Sequence, residues 1–345
     1  MCCWKNGGCH CGTNTKELPP LGLSTTPLHP VVPVCSHPEK QCALVVGGMS
    51  LRKGGASSSS SPELHLVTIR FSHFNEQARW ALDRFRVPYT EEPYVPILHM
   101  LPVRLATARW GKHVGKPDAV SSAHSTPLLM TPDGPIQDSR DIGEYVSKVY
   151  GNGSLYPCEE TRKLVDEFHD RLGPQTRRAA YFFVLQEKDL FLRLAKINIP
   201  TLQYFVVCAT WPIIRAGIAN GLGVAQDRAM RCMERVRDIF EEVSQRLSDG
   251  RPYLMGNQFT AADIAFCCMG APALLPQPEE GYGGRLPSIQ DLRATKNGAR
   301  FADFVEQLRA TPAGKYALRM FAQERGTRVI PCRPLIVPST PAAKL

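Results

Sequence analysis

The sequence lacks an uninterrupted apolar run as long as a membrane-spanning helix, which needs ~18 to 20 residues. Its longest apolar stretch, residues 204–224, is interrupted by Arg215 and by several glycines. A helix buried in a protein core explains such a stretch better than a transmembrane helix does. We therefore predict a protein without a membrane span.

Blocks of Lys and Arg interleaved with aromatic residues, which single-strand nucleic-acid binders require, are also missing. The net charge is +9, but acidic residues are scattered among the basic ones along most of the chain. This distribution argues against a nucleic-acid partner. A moderately basic surface would instead attract small anionic ligands.

The sequence also lacks the Cys and His spacings that are typical of metal sites. Cys9-His10-Cys11 is not a zinc spacing, and no Cys-x-x-Cys pair accompanies it. Of the 12 cysteines, half lie in the first 42 residues, and the others are spread through apolar helical segments. Those later cysteines are expected to be reduced and buried, as in a cytoplasmic protein. We predict no metal site.

Ordered structure is predicted to begin near residue 63, after a Gly/Ser-rich linker at residues 54–61. Residues 1–62 are then a disordered Cys-, Ser- and Gly-rich extension, within which Met49 is an alternative start. The extension is poor in acidic residues, which leaves open a transit peptide and an organelle location. A cytoplasmic location is the first expectation, because the extension lacks an Arg-rich amphipathic pattern.

Residues 63–152 alternate between strand and helix patterns. A β-rich run at residues 64–71 leads into an apolar helical stripe, and an Asp-Gly turn at Asp133-Gly134 separates two short strands. Asp138-Ser139 then caps a further helix. The predicted strands cover residues 64–71, 89–95, 126–130 and 135–137, and the predicted helices cover residues 74–85, 101–110 and a segment after residue 139. This order is that of a thioredoxin-like domain.

Residues 158–326 have helical periodicity throughout, and a short tail, residues 327–345, follows them. The strongest helical spans are residues 161–171, 178–194, 225–247, 261–270 and 300–309. The fold class predicted is therefore α+β: a thioredoxin-like domain followed by an all-α helical-bundle domain.

Short motifs in this order resemble the glutathione transferase family. In that family a Ser, Tyr or Cys precedes an Arg by seven residues, as Ser72 precedes Arg79 here. The chain also has segments similar to the family's cis-proline strand, its acid-serine signature, its C-terminal domain motif and a recurring chain ending. The matching segments are residues 72–80 (SHFNEQARW), 125–129 (STPLL), 137–139 (QDS), 253–263 (YLMGNQFTAAD) and 311–314 (TPAG), within residues 63–326.

This resemblance implies a glutathione transferase, which joins the thiolate of its co-substrate glutathione to a small hydrophobic electrophile, as in detoxification. It also implies a homodimer in the cytoplasm. Two alternatives remain open. One is a different glutathione-dependent enzyme, such as an isomerase, a dehalogenase or a peroxidase. The other is a non-catalytic ligand-binding protein of the same fold.

Ser72 is the predicted catalytic residue. Its hydroxyl lies where a strand passes into a helix, so it can donate to the glutathione sulfur while the helix dipole favours the negative charge. The alternative is that Ser72 only caps the helix. Asn75 is a further glutathione-binding candidate. Since neither Ser72 nor Asn75 is a thiol, disulfide exchange of the glutaredoxin kind is disfavoured.

The backbone near Pro127 is predicted to hold glutathione as an added strand. Its peptide bond is expected to be cis, and Thr126 and Leu128 would then bond the extended tripeptide. Asp138 and Ser139 begin a helix whose free N–H groups suit the γ-glutamyl carboxylate, with the Asp138 carboxylate available for the ammonium group. An ordinary helix cap is the alternative.

Other residues have less specific roles. A cation for the glycyl carboxylate is expected among Arg109, Lys112 and Lys116, without a choice between them. His73 is expected to be an exposed turn residue, and Arg79 to anchor its helix through a buried ion pair. Thr260 to Asp263 form a capping box with a folding role. Aromatic residues are the candidates for the pocket of the second substrate: Tyr181, Phe182, Phe183 and Trp211.

Overall fold

The computed structural model describes residues 64–110 and 124–326. The predicted extension and tail, with their linker and alternative start, lie outside the described residues.

The amino-terminal half has the predicted order of strands and helices. An alternating, mostly buried run forms β1, a capped amphipathic stripe forms α1, and the Asp-Gly turn joins the two hairpin strands β3 and β4. The element bounds are β1 Leu64–Thr68, α1 His73–Arg84, β2 Tyr89–Pro93, α2 Met100–Trp110, β3 Leu128–Thr131, β4 Gly134–Gln137 and α3 Ser139–Tyr150.

The sheet has four strands in the order β2-β1-β3-β4. β1 runs parallel to β2 and antiparallel to β3, and β3 runs antiparallel to β4. Gly134, with φ 134°, opens β4 in a conformation that L-residues rarely adopt, so the turn requires glycine here. Apolar residues of β1, such as Leu66, pack with Ala78 of α1 and Ile142 of α3 in one core. This is the thioredoxin-like half of the predicted fold class.

The carboxyl-terminal half is helical among its described residues. The predicted span 178–194 is two helices, because the chain turns at residues 185–187, and a helix at residues 201–222 follows them. The bounds are α4 Glu159–Glu167, a π-helical turn Phe168–Leu172, α5 Gly173–Val184, α6 Lys188–Asn198, α7 Thr201–Leu222, α8 Gln226–Arg246, α9 Ala261–Leu274, a 3₁₀ turn Pro278–Glu280, α10 Ile289–Arg293, α11 Ala299–Ala310, α12 Pro312–Met320 and a π-helical turn Phe321–Arg325.

The helix α9 is the centre of this half, and every one of its residues is buried. It begins with the predicted capping box. Thr260 accepts from the Ala262 N–H at 3.3 Å, and the Asp263 carboxylate accepts from the Thr260 N–H at 2.6 Å. The box satisfies N–H groups that a buried helix start would otherwise leave unpaired.

A buried network of charges joins the start of the chain's described part to its end. Arg79 donates to Glu76 at 2.6 Å and to Glu91 at 2.8 Å, which confirms the predicted helix anchor. Glu76 also accepts from Arg325 at 2.7 Å, and Arg325 pairs with Asp83 at 2.8 Å. Because each charge in the network has an opposite partner, burial is tolerated. α1 is thereby held against the end of the helical half.

The helix α7 contradicts the expectation of a buried helix. Only part of it is buried, whereas Leu202, Phe205 and Ile213 are 67%, 63% and 72% exposed. By length and composition it is also the one helix among the described residues that could cross a membrane. The apolar composition predicted a helix correctly, but not which faces other elements cover.

The expectation of buried cysteines holds for Cys232, Cys267 and Cys268 but not for the others described. Cys158 is exposed at the start of α4, and Cys208 is half-buried. Cys158 is within 3.5 Å of the Thr161 hydroxyl, and this contact lowers the pKa of the thiol. Burial raises the pKa of Cys267 and Cys268.

Candidate functional site

A cavity of about 420 Å³ lies between the sheet half and the helical half. A cavity of this size suits a small organic ligand. Its lining combines the turn before α1 with residues near Pro127, the face of α5, parts of α6 and α7, and the segment after α9. Ser72 and Thr126 both line it, so the structure brings these two predicted residues to one site.

Ser72 is the N-cap residue of α1, yet only its backbone takes part in the cap. Its carbonyl accepts from the Glu76 N–H at 3.0 Å, and its N–H donates to the Ile69 carbonyl at 2.8 Å. The hydroxyl makes no capping hydrogen bond and has no hydrogen-bond partner among the described residues. A half-buried hydroxyl with no internal partner, at a helix N-terminus, can donate to an anionic ligand in the cavity.

His73 is buried, which contradicts the expectation of an exposed turn residue. Its Nε2 lies 3.1 Å from the Gly173 carbonyl, which can only accept, so Nε2 carries the proton. Burial, with a further contribution from Arg177, lowers the pKa of His73 well below 6.5. The imidazole is therefore neutral at pH 7 and tethers α1 to α5.

Gly173 allows this close approach between the two helices. A Cβ atom on Gly173 would lie 2.9 Å from the ring of Phe74, closer than real Cβ atoms come to other heavy atoms. The hydrogen bond of His73 and the cavity wall beside Ser72 thus depend on Gly173, which lies 100 residues after His73 in the chain.

The peptide bond between Thr126 and Pro127 is cis, as predicted. The Asn75 side chain donates to the Thr126 hydroxyl at 3.2 Å, which fixes this segment against α1. The backbone N–H and C=O of Thr126 bond to no other described residue. Thr126 therefore offers one donor and one acceptor to an extended ligand.

Leu128 differs from Thr126 in this respect. It lies in the inner strand β3, where it pairs with Val67 on one side and Gln137 on the other. A strand added beside Pro127 would find the backbone of Leu128 already placed within the sheet. The contacts of Thr126 and Leu128 with an added strand of glutathione stay predictions.

Asp138 is the N-cap of α3 and holds a φ of 86°, which is rare for a residue other than glycine. Its carboxylate accepts from the Arg140 N–H at 2.8 Å and from the Arg140 guanidinium at 3.2 Å. A ligand ammonium group would have to share this carboxylate. The contact between Asp138 and glutathione stays a prediction.

Ser139 begins α3, where helical geometry gives its N–H no partner four residues back. Its hydroxyl donates to Oε1 of Gln77 at 3.2 Å. The helix α1 therefore contacts the start of α3 through Gln77, as it contacts Thr126 through Asn75. Neither Asp138 nor Ser139 lines the cavity. The contact between Ser139 and glutathione, like that of Asp138, stays a prediction.

Sequence reasoning missed His169, which lies beside Asp138. Its Nε2 is 3.6 Å from the Asp138 carboxylate. Burial, reinforced by Arg140 and Arg177, lowers the pKa of His169 to about 3, so the ring is neutral at pH 7. No local motif marked this residue, because only the packing of the π-helical turn brings it to α3.

Arg177 was missed as well, although it lines the cavity. Of the three predicted cations, Arg109 lies in α2, while Lys112 and Lys116 lie outside the described residues. The available signal was the spacing of Arg177 with Tyr181 and Val184, which places an arginine on an apolar helical stripe.

Of the four aromatic candidates for the pocket of the second substrate, one lines the cavity and three do not. Tyr181 lines the cavity. Phe183 and Trp211 are buried in hydrophobic cores, and Phe182 packs against one of them. The assignment of these three to the pocket was therefore wrong.

Metal binding finds no candidate among the residues that the structure describes, since no three His, Cys, Asp or Glu side chains cluster as ligands would. The expectation of chemistry without a metal stays a prediction.

Known proteins resemble both parts of this architecture. The family model for the glutathione S-transferase C-terminal domain matches residues 197–295. Among solved structures, the glutathione transferase GSTFuA2 from Phanerochaete chrysosporium has a TM-score of 0.50 and 17% identity, covering 78% of this chain and 100% of that one. GSTFuA3 from the same organism has a TM-score of 0.50 and 14% identity, covering 77% and 99%.

A third structure, a glutathione S-transferase of Ceriporiopsis subvermispora in complex with glutathione, has a TM-score of 0.49 and 15% identity, covering 77% and 99%. No curated protein sequence matches the chain significantly. At identities this low, structural similarity shows a common fold and nothing more. The chain therefore has the glutathione S-transferase fold, as the resemblance of its motifs predicted, and its residues 197–295 match the C-terminal domain model of that family.

Proposed function

We propose that the chain is a glutathione transferase that joins the thiolate of glutathione to hydrophobic electrophiles. The observation that carries the proposal is the hydroxyl of Ser72, which lines the cavity and has no hydrogen-bond partner among the described residues. A serine that only capped its helix would use this hydroxyl in the cap. Here it remains available for a ligand.

In the proposed mechanism, glutathione lies with its sulfur near Ser72 and its backbone on Thr126. The Ser72 hydroxyl donates to the sulfur, and the amino end of α1 contributes its positive dipole. Both interactions favour the thiolate, which is the nucleophile. One pKa unit corresponds to about 1.4 kcal/mol, so these two effects suffice to bring a thiol from about 8.5 towards neutral pH.

The electrophile would occupy the remainder of the cavity. Its walls are mainly apolar, formed by residues such as Tyr181, Val184 and Ile218. Thiolate sulfur then forms a bond to the electrophilic carbon, and the leaving group departs with the bonding electrons. The cavity favours the reaction by holding both reactants in contact. The proposal includes the expectations of a cytoplasmic homodimer that acts in detoxification.

The substitution Ser72→Ala tests the proposal. We expect a loss of about 100-fold in kcat with 1-chloro-2,4-dinitrobenzene, the size seen when one donor to a developing or stabilised anion is removed. Glutathione should still bind, because Thr126 and the start of α3 are unchanged. The measurements are turnover, calorimetric binding of glutathione, and the pH dependence of thiolate absorbance in the complex.

The control is Ser248→Ala, an exposed serine after α8 that should leave all three measurements unchanged. Unaltered turnover in Ser72→Ala would remove the catalytic role. Glutathione binding without turnover of any electrophile by the unsubstituted protein would instead favour a non-catalytic ligand-binding protein.

A further inference from the structure

The cavity contains a cation without a carboxylate partner. Arg177 of α5 is partly buried, and its guanidinium lies 5.3 Å from the ring centre of Phe74. No described Asp or Glu forms an ion pair with it. Burial lowers the pKa of Arg177, yet an arginine remains protonated at neutral pH. An arginine that loses hydration without gaining an acid is costly unless a ligand supplies the anion.

The rest of the cavity lining strengthens this electrostatic bias. Among the residues that the structure describes, it includes Arg285 but no Asp or Glu. Arg285 differs from Arg177 because it already pairs with Glu279 at 3.3 Å. The two histidines of the lining are His73 and His99; burial lowers the pKa of both, that of His99 to about 4. At pH 7 the unneutralised charge of the described part of the lining is thus that of Arg177.

Arg177 also stands at one end of an apolar stripe. Tyr181 and Val184 follow it at i+4 and i+7 on the cavity face of α5. With a rise of 1.5 Å per residue, the stripe from Arg177 to Val184 is about 10 Å long. Across the cavity, Ile218 and Leu222 of α7 are apolar as well. A ligand that fits this arrangement has an anionic group at one end and an apolar body of about this length.

We propose that the second substrate is a hydrophobic electrophile carrying a carboxylate, and that Arg177 binds this carboxylate. The inference rests on the proposed function, because it concerns the second substrate of the same reaction. The position of Arg177 against Phe74, two residues after Ser72, places the carboxylate near the reacting carbon. Arg177 is then a specificity-determining residue, since it separates anionic from neutral electrophiles of equal size.

Two compounds of matched shape test this: 4-chloro-3-nitrobenzoate, which is anionic at neutral pH, and 4-chloro-3-nitrobenzamide, which is not. In both, the thiolate sulfur forms a bond to the ring carbon that bears chlorine. The carbon–chlorine bond breaks, chloride leaves with both electrons, and the thiol proton has passed to solvent. The unsubstituted protein should have the higher kcat/KM for the benzoate, mainly through a lower KM.

Arg177→Gln should lower kcat/KM for the benzoate by about 10- to 100-fold, the range for losing a charge-assisted contact, and leave that for the benzamide unchanged. Arg177→Lys, which keeps the charge, should restore part of the benzoate activity. The matched control is Arg193→Gln on α6, an exposed arginine outside the cavity, which should change neither value. Circular dichroism and thermal unfolding establish that each variant is folded.

The inference is overturned if Arg177→Gln lowers the values for both compounds equally, or raises the KM for glutathione. Either result would assign Arg177 to glutathione rather than to the second substrate. Calorimetric binding of the benzoate without glutathione is independent of turnover. If the protein conjugates neither these compounds nor 1-chloro-2,4-dinitrobenzene, the proposed function fails, whereas the anion site stands if the benzoate binds and Arg177→Gln abolishes that binding. If the protein conjugates 1-chloro-2,4-dinitrobenzene but does not bind the benzoate, the proposed function stands and the anion site is overturned.

Discussion

The helices α1 and α9 both begin at a residue with a hydroxyl side chain, but the two hydroxyls have different roles. Thr260 caps α9 with its side chain, and Asp263 completes the box from within the helix. Ser72 caps α1 with its backbone alone and leaves its hydroxyl without a described partner. The comparison indicates that a hydroxyl at a helix start belongs to the fold in one case and to the site in the other.

Their surroundings explain the difference. Thr260 and Asp263 are fully buried, so every polar atom there must find a partner within the protein. Ser72 is half-buried at the wall of the cavity, where a ligand or water can serve as partner. A hydroxyl without a hydrogen-bond partner inside the protein is tolerated only at such a position. Substitutions at the two helix starts should therefore separate effects on stability from effects on turnover.

The largest effect on stability is expected from Asp263→Ala. It removes the acceptor of the Leu254 N–H at 2.8 Å and of the Thr260 N–H at 2.6 Å, and it also leaves the Tyr316 hydroxyl unpaired. Each buried donor left without a partner costs about 1–3 kcal/mol, so we expect a loss of about 3 kcal/mol or more. Urea unfolding measures it.

The control for this substitution is Asp249→Ala, which removes an exposed carboxylate that pairs with Arg251. An exposed pair contributes little, so its effect should stay within about 0.5 kcal/mol. Equal losses in the two variants would contradict the structural role assigned to the start of α9.

The start of α1 should make stability depend on pH through His73. Burial, together with Arg177, holds the pKa of His73 in the folded protein well below 6.5. As the pH falls below 6.5, the unfolded state therefore binds a proton that the folded state does not. The free energy of unfolding should decrease in this range, by at most about 1.4 kcal/mol per pH unit for this residue.

His73→Gln should reduce that slope, measured by urea unfolding at several pH values between 6.5 and 5. Some slope should remain, because burial also lowers the pKa of His169, to about 3. A slope identical to that of the unsubstituted protein would mean that His73 already binds its proton in the folded state.

Much of both helix starts could be predicted from the sequence, because caps and strand-helix alternation are local patterns. The resemblance of residues 72–80 and 125–129 to family motifs implied that Ser72 and Thr126 share one site, and both line the cavity. The Thr260 box was correct in every contact. His73 and Arg177 could not be assigned in this way. Their roles depend on Gly173, which brings α5 against α1 across 100 residues of sequence.

The helix α7 illustrates the same limit. Its apolar composition predicts a helix that avoids water, but burial depends on which neighbouring helices reach each face. The described elements cover one face, which includes Val207 and Ile214, and leave Phe205 and Ile213 exposed. Local pattern thus predicts the elements, whereas contacts distant in sequence decide their exposure and the chemistry of the site.

A smaller loss of stability is expected from Thr260→Ala. The substitution removes the side-chain acceptor of the Ala262 N–H and the hydroxyl that donates to Asp263 at 3.2 Å, but it keeps the bond from the Thr260 N–H to Asp263. We therefore expect a loss of about 0.5–2 kcal/mol. Turnover should not change, because Thr260 does not line the cavity. Thr260→Ser is the matched control, since it retains the hydroxyl and should retain the stability. A stability loss in the serine variant as large as in the alanine variant would assign the effect to the lost methyl group.

The smallest effect on stability is expected from Ser72→Ala, the substitution with the largest expected effect on turnover. Because the hydroxyl has no partner among the described residues, its removal should change the free energy of unfolding by no more than about 0.5 kcal/mol. Urea unfolding without glutathione measures this value. A loss as large as that of Thr260→Ala would mean that the hydroxyl caps α1 in solution. The catalytic role would then have lost its structural basis, since the same oxygen would be held by the helix and not by the ligand.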